Sequence, residues 1–180
     1  MIQSVLIFLI IALNLSAQNN YLIVIDKSIY KYQTILDCLS IDAEVLLLDE
    51  SDNQLKILTE KLSDYKNLDA MYLFICGKDG LIFFSGAQIT AESIHENSKL
   101  LNKWHLNFND KADLMIYTCN LANTNEGRGL IRRLSAQTGL DVAASINDTG
   151  NENTGCDWDL EFRIGNIEAN NCLDKKSIAA

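Results

Sequence analysis

The chain has 180 residues, of which 24 are acidic and 15 are basic, and its formal net charge is −9 at pH 7. This length fits one ordinary domain, and the negative charge disfavours nucleic acid and anionic membrane surfaces as partners. The five cysteines are an odd number, so at least one thiol is expected to stay unpaired or to pair with another molecule.

The first seventeen residues, "MIQSVLIFLIIALNLSA", carry no charged side chain and are too short to span a bilayer comfortably. They predict an export signal that is cut after Ala17, which leaves residues 18–180 as a single domain. An uncleaved N-terminal anchor is the alternative, because Leu15 stands where a small residue is preferred. Export would place the protein in the periplasm, at the cell surface or in the medium, without membrane contact after cleavage.

The first part of the mature chain alternates strands with helices. "YLIVID" (Tyr21–Asp26) and residues 43–49 are continuous apolar runs, which are typical of buried parallel strands. Residues 28–39 have the spacing of an amphipathic helix. Ser51 and Gln54 have capping-box spacing and predict the start of a second helix.

The middle of the chain continues this alternation. Residues 69–77, "DAMYLFICG", predict a third buried strand, and residues 80–90 predict a hairpin that turns at Ser85 and Gly86. Thr90 is expected to cap a third helix that runs toward Trp104.

The last part predicts two more strands, a helix and a hairpin. Residues 112–119 and 140–145 are apolar runs, and Asn123 is expected to cap the helix between them. Residues 157–169 alternate like a hairpin that turns at Gly165 and Asn166. The pattern predicts an α/β protein, a three-layer sandwich around a mostly parallel sheet.

Cys76 and Cys119 fall at the carboxyl ends of the third and fourth predicted strands. Catalytic groups and ligands gather at this edge of open parallel sheets. The alternative for Cys119 is a purely structural role, as a small buried hydrophobic residue at the end of a core strand.

Five segments match a known family in order and spacing over about residues 21–169. They are "YLIVIDKSIYKYQTIL", "AEVLLLD", "MIYTCNLA", "RLSAQTGLDVAAS" and "CDWDLE". On these segments the chain resembles the domain of unknown function 4347, which is found mainly at the N-termini of large bacterial surface proteins with adhesin repeats. The family is similar to caspase-like and gingipain-like cysteine peptidases, which implies a caspase-like fold.

The resemblance also implies site residues. The family's fourth-strand motif resembles Tyr-Gly-Cys-Asn-Val-Ala, which places the nucleophile on Cys119. Its third-strand motif resembles Ser-His-Gly, which aligns with Cys76, Gly77 and Lys78, so the expected histidine is missing. A cysteine nucleophile needs a nearby base. Lys78 is the nearest substitute in sequence.

The two histidines, His95 and His105, fall on or just after the third predicted helix. A base supplied from there is the other alternative, although it would have to come within hydrogen-bonding distance of the thiol.

Two disulfides are plausible from strand register. If the third and fourth strands are adjacent, Cys76 and Cys119 are close enough to pair and would seal the site. The last predicted hairpin would bring Cys156 near Cys172.

No pair of cysteines or histidines has zinc-like spacing, so we expect no metal site and no cofactor. Residues 147–159 are rich in oxygen ligands and predict a solvated surface loop, with weak calcium binding as an alternative.

The sequence therefore predicts an exported, degenerate peptidase-like domain that is not catalytic and binds a protein or peptide partner. The alternative is a cysteine peptidase or autoprocessing domain with Cys119 as the nucleophile and an unconventional base.

Overall fold

The structure is a computed structural model and describes residues 20–49, 53–78, 80–84, 87–150 and 156–174. Over these residues the chain forms nine strands, five α-helices and two 3-10 turns. The strands are β1 (Tyr21–Asp26), β2 (Glu44–Leu48), β3 (Leu68–Phe74), β4 (Cys76–Lys78), β5 (Leu81–Phe84), β6 (Ala87–Ile89), β7 (Phe108–Tyr117), β8 (Asp141–Ala144) and β9 (Phe162–Ile164). The helices are α1 (Tyr32–Asp37), α2 (Gln54–Leu62), α3 (Ala91–Glu96), α4 (Ser98–Leu101) and α5 (Asn125–Thr138), and the 3-10 turns are Trp104–Asn107 and Leu121–Asn123.

Six strands form the central sheet, in the order β2-β1-β3-β7-β8-β9. The first five run parallel to one another, and β9 is antiparallel to β8. Strands β4, β5 and β6 form a second, antiparallel sheet. The predicted α/β class with a mostly parallel sheet is confirmed.

Both faces of the inner strands β1 and β3 are buried, whereas the edge strand β2, which the sequence predicts to be buried, leaves Val45 and Leu47 exposed. Alternate residues of each strand point to opposite sides, so Leu22 and Val24 pack toward α2, α3, α4 and α5. Ile23 and Ile25 face α1 and the C-terminal segment. Two covered faces explain the unbroken apolar runs of these strands, and they are compatible with a three-layer sandwich.

The ends of several helices differ from the sequence prediction. Helix α5 is capped by Thr124 rather than Asn123, because the Thr124 side chain accepts a hydrogen bond from the Gly127 amide while Asn123 belongs to a 3-10 turn. Thr90 caps α3 as predicted, in a capping box with Ser93. Ser51 and residues 1–17, the predicted signal, lie outside the described residues. Among the residues that are described, no helix has the length and apolar character needed to cross a membrane.

The predicted C-terminal hairpin is wrong. β9 pairs with β8 instead of folding back on the residues after Gly165. Gly165 has φ 85°, and the next amide, of Asn166, donates to a carboxylate oxygen of Asp141 at 2.9 Å. β9 therefore extends the central sheet at the edge of β8, and the residues after Gly165 turn back toward the start of β8.

Candidate functional site

A cleft lies where β3 and β7 end, at the carboxyl edge of the parallel sheet. Its volume is about 220 Å³. It contains both cysteines that the sequence placed at this edge, together with apolar and aromatic walls. The lining residues are Ile29, Ile35, Phe74, Ile75, Cys76, Gly77, Tyr117, Thr118, Cys119, Thr149 and Trp158.

The pairing of β3 with β7 brings Cys76 and Cys119 to the cleft. Phe74 is in register with Tyr117, and the Ile75 amide donates to the Tyr117 carbonyl at 3.2 Å. The two cysteines follow these partners directly and are both partly buried. The condition set for a Cys76–Cys119 disulfide, that the two strands are adjacent, is therefore met.

Among the described residues, the Cys119 thiol has no basic partner in the cleft. Its Sγ donates to the carbonyl of Thr149 at 3.7 Å and lies 3.6 Å from the Thr149 hydroxyl. Neither group can take a proton from the thiol near neutral pH. The Cys76 Sγ lies 3.9 Å from the Ser28 hydroxyl.

The three sequence-predicted bases do not line the cleft. Lys78 is exposed on β4, next to Gly77. His95 is exposed on α3. His105 is exposed in a 3-10 turn and packs near Gly139, just before β8 begins, which is the opposite edge of the sheet from Cys119.

Gly77 is closely packed. A Cβ placed on this residue would lie 2.1 Å from Thr118 Oγ1 and 2.7 Å from the Leu81 carbonyl oxygen. Real side chains do not approach this closely, so any side chain at position 77 requires the neighbours to move. The space in which a histidine would begin is therefore occupied by Thr118.

The loop after β7 is held by Asn120, which adopts a left-handed conformation with φ 54°. Asparagine is among the residues that tolerate this region best. Its amide donates to the Asn147 carbonyl at 2.7 Å, its carbonyl accepts from the Gly80 amide at 3.3 Å, and its side chain donates to Asp148. One residue therefore fixes Cys119 relative to two neighbouring loops.

With the cleft described, comparison with known proteins gives the family. The model of the domain of unknown function DUF4347 matches residues 22–180. The chain belongs to the DUF4347 family. No curated protein and no solved structure matches it.

Two glycines let the second sheet of this DUF4347 domain approach helix α5. A Cβ on Gly127 would lie 1.7 Å from the Leu121 carbonyl oxygen and 2.8 Å from the Gly80 Cα. Gly80 itself has φ 84°. The turn between β4 and β5 thus rests on the first turn of α5, which holds Gly77 against Thr118.

Three aromatic rings form one side of the cleft. Phe74 and Tyr117 are stacked with ring centroids 4.6 Å apart. Trp158 is tilted against both rings, with centroids 6.4 Å from Phe74 and 6.1 Å from Tyr117. Trp158 is partly buried against the core, so it anchors its segment and also lines the cleft.

No disulfide joins any of the five cysteines, so neither predicted disulfide is present in the structure. The pairing of Cys156 with Cys172 relied on a hairpin that does not form. Cys172 instead flanks a bridge between Leu39 and Leu173, is fully buried, and has its pKa raised to about 12 by burial. Burial also raises the pKa of Cys38, so both thiols stay protonated at neutral pH.

The sequence analysis missed Thr118, Asn120 and Thr149 as parts of the site. Thr118 could have been found, because this chain has threonine where the family motif resembles glycine. Asn120 had the signal of a turn-forming residue directly after a strand. Thr149 had none, because it comes from a distant loop that only the fold brings to Cys119.

Proposed function

We propose that this DUF4347 domain is a degenerate, non-catalytic relative of cysteine peptidases with a caspase-like fold. The observation that carries the proposal is the packing of Thr118 Oγ1 into the space that a side chain at position 77 would need. This chain has Gly77 where the family's third-strand motif has histidine, and Thr118 where its fourth-strand motif has glycine. The two departures are sterically complementary, as expected for a site that has lost its base and closed the gap.

In this proposal the cleft binds a peptide or protein partner through an apolar side chain. Its walls combine aliphatic residues with the rings of Phe74, Tyr117 and Trp158. A volume of about 220 Å³ is below the range of about 300–1,000 Å³ that is typical of small-molecule pockets. It suits one apolar or aromatic side chain of a longer peptide, of the kind that anchors many protein interfaces.

We place the protein outside the cytoplasm, in the periplasm, at the cell surface or in the medium. The support for this is the uncharged apolar leader of residues 1–17. The net charge of −9 further favours a neutral or basic peptide over an acidic one.

A working cysteine peptidase or autoprocessing domain is the second proposal. The observation in its favour is that the Cys119 thiol is only partly buried and lines the cleft. Attack of the Cys119 thiol on a substrate carbonyl would need a base that accepts the thiol proton, and the neutral amine of exposed Lys78 on β4 is the candidate.

Binding in the cleft can be tested with Ile29→Arg. Ile29 is partly buried and lines the cleft, whereas its neighbour Tyr30 is 85% exposed and does not. We expect peptides selected from a displayed library on residues 18–180 to bind the Ile29→Arg variant at least about tenfold more weakly, since a buried charge replaces an apolar wall. Isothermal titration calorimetry gives the affinities.

Tyr30→Arg is the matched control for this experiment. It adds the same charge one residue away and should leave the affinity unchanged. Equal binding by all three proteins would show that the selected peptides use another surface, and would contradict the cleft as the binding site.

A further inference from the structure

Three carboxylates meet at the other end of the central sheet. Asp113 on β7 and Asp141, which begins β8, are register partners on adjacent parallel strands. Glu168 approaches them from the segment after β9. One oxygen-ligand atom of each residue lies within 4.8 Å of the other two. Because Cys119 is six residues further along than Asp113, this cluster lies about 20 Å from the cleft.

The Asp113 side chain is built into this cluster. The residue is 1% exposed. Its Oδ2 accepts hydrogen bonds from the amides of Glu168 at 2.9 Å and Ala169 at 2.7 Å, whereas its buried Oδ1 has no partner. A buried carboxylate oxygen without a partner costs free energy unless something binds it. Burial, together with Glu168 and Asp141, raises the pKa of Asp113, while the two amides oppose that shift.

The other two carboxylates are also held in place, Asp141 by backbone and Glu168 by a side chain. Asp141 accepts from the Asn166 amide at 2.9 Å, and the Gly165 backbone packs so closely that an added Cβ would lie 1.9 Å from Asp141 Oδ1. Glu168 accepts from the Asn166 side chain at 2.6 Å. Fixed carboxylates at this spacing repel one another unless a cation or a proton compensates them.

The surrounding cavity is open to solvent and polar. Its volume is about 330 Å³, and it is lined by the cluster residues Asp113 and Glu168 together with Tyr21, Asp110 and Lys111. Among the described residues, the ion pairs are those of Lys27 with Asp49 and of Lys56 with Glu60, so no ion pair joins Lys111 to the cluster. No ion pair with a described lysine or arginine therefore compensates the charge of the cluster.

We propose that Asp113, Asp141 and Glu168 form a calcium-binding site. Calcium prefers six to eight oxygen ligands and accepts irregular geometry, with water completing the shell. Three carboxylates and an open cavity meet those requirements, whereas a softer metal would favour nitrogen or sulfur ligands. The site ties β7 and β8 to the segment that follows β9, so its role is to fix the C-terminal segment on the sheet.

The test uses the mature chain and calcium itself. Isothermal titration calorimetry with calcium chloride should give a Kd of about 10⁻⁴–10⁻³ M, as in extracellular modules, and calcium should raise the melting temperature above that in EDTA. Terbium should bind at the same place and luminesce through Tyr21, which lines the cavity. Asp113→Asn and Glu168→Gln should each weaken binding at least about tenfold.

Asp110→Asn is the matched control, because Asp110 lines the same cavity outside the cluster, and it should bind calcium like the parent chain. Glu168 is exposed, so Glu168→Gln reports on binding even if Asp113→Asn fails to fold. Two results would overturn the site. One is an absence of binding or of thermal shift at millimolar calcium, as expected if the carboxylates share a proton. The other is equal weakening by Asp110→Asn, as expected of surface charge alone.

Discussion

Gly77→Ala is expected to lower the free energy of unfolding by about 1–3 kcal/mol, the usual cost of overpacking. The added methyl group would lie 2.1 Å from Thr118 Oγ1 and 2.7 Å from the Leu81 carbonyl oxygen. The threonine can rotate, but the carbonyl belongs to the backbone of the paired strand β5 and cannot. Urea unfolding followed by circular dichroism measures the change.

Thr118→Gly is the second arm of this experiment. It removes the hydroxyl that occupies the space at position 77, and that hydroxyl has no hydrogen-bond partner within the described part of the chain. In combination with Gly77→Ala, we expect the double variant to be more stable than the sum of the two single changes predicts, with a coupling of about 0.5–3 kcal/mol. Additive effects would mean that the two positions are not sterically linked.

Gly127→Ala is expected to have the largest effect on stability, a loss of about 3 kcal/mol or more. Its Cβ would lie 1.7 Å from the Leu121 carbonyl oxygen and 2.8 Å from the Gly80 Cα. Both contacts are with backbone, so the 3-10 turn or the β4–β5 turn must move away from helix α5. The same urea titration gives the change in the free energy of unfolding.

Gly129→Ala is the matched control two residues along the same helix. Nothing lies within 4 Å of a Cβ at this position, so the substitution should stabilise the protein by about 0.5–1 kcal/mol through helix propensity. If both alanines stabilised the protein, the close approach of the second sheet to α5 would be refuted.

Much of the fold could be predicted from the sequence because its signals are local. The strands around Tyr21, Met71 and Leu114 are apolar runs of the right length, and buried parallel strands have that character. The run around Val45 also forms a strand, but it lies at the edge of the sheet and is mostly exposed. Failures came where long-range pairing decides the structure. The residues around Gly165 have the sequence pattern of a hairpin, but β9 pairs with the edge of β8 instead of with the residues after Gly165.

For the two sites as well, local signals could be predicted and long-range contacts could not. Cys76 and Cys119 could be placed together because parallel strands end at the same edge of the sheet. The packing of Thr118 on Gly77 could not, because it depends on how tightly two strand ends approach. The carboxylate cluster was missed because Asp113 and Asp141 each precede an apolar run, which reads as an ordinary strand start, and only the register between β7 and β8 pairs them.

We propose that Cys119 does not act as a nucleophile in this DUF4347 domain. The most direct measurement is the hydrolysis of a diverse fluorogenic peptide library by residues 18–180 under reducing conditions, with Cys119→Ala as the comparison. Within the described part of the chain, the thiol contacts a carbonyl and a hydroxyl of Thr149 and no base lines the cleft. We therefore expect both proteins to give the same background rate. Cleavage by the parent chain that disappears in Cys119→Ala would contradict the proposal that Cys119 is not a nucleophile, and would establish that the domain is a peptidase.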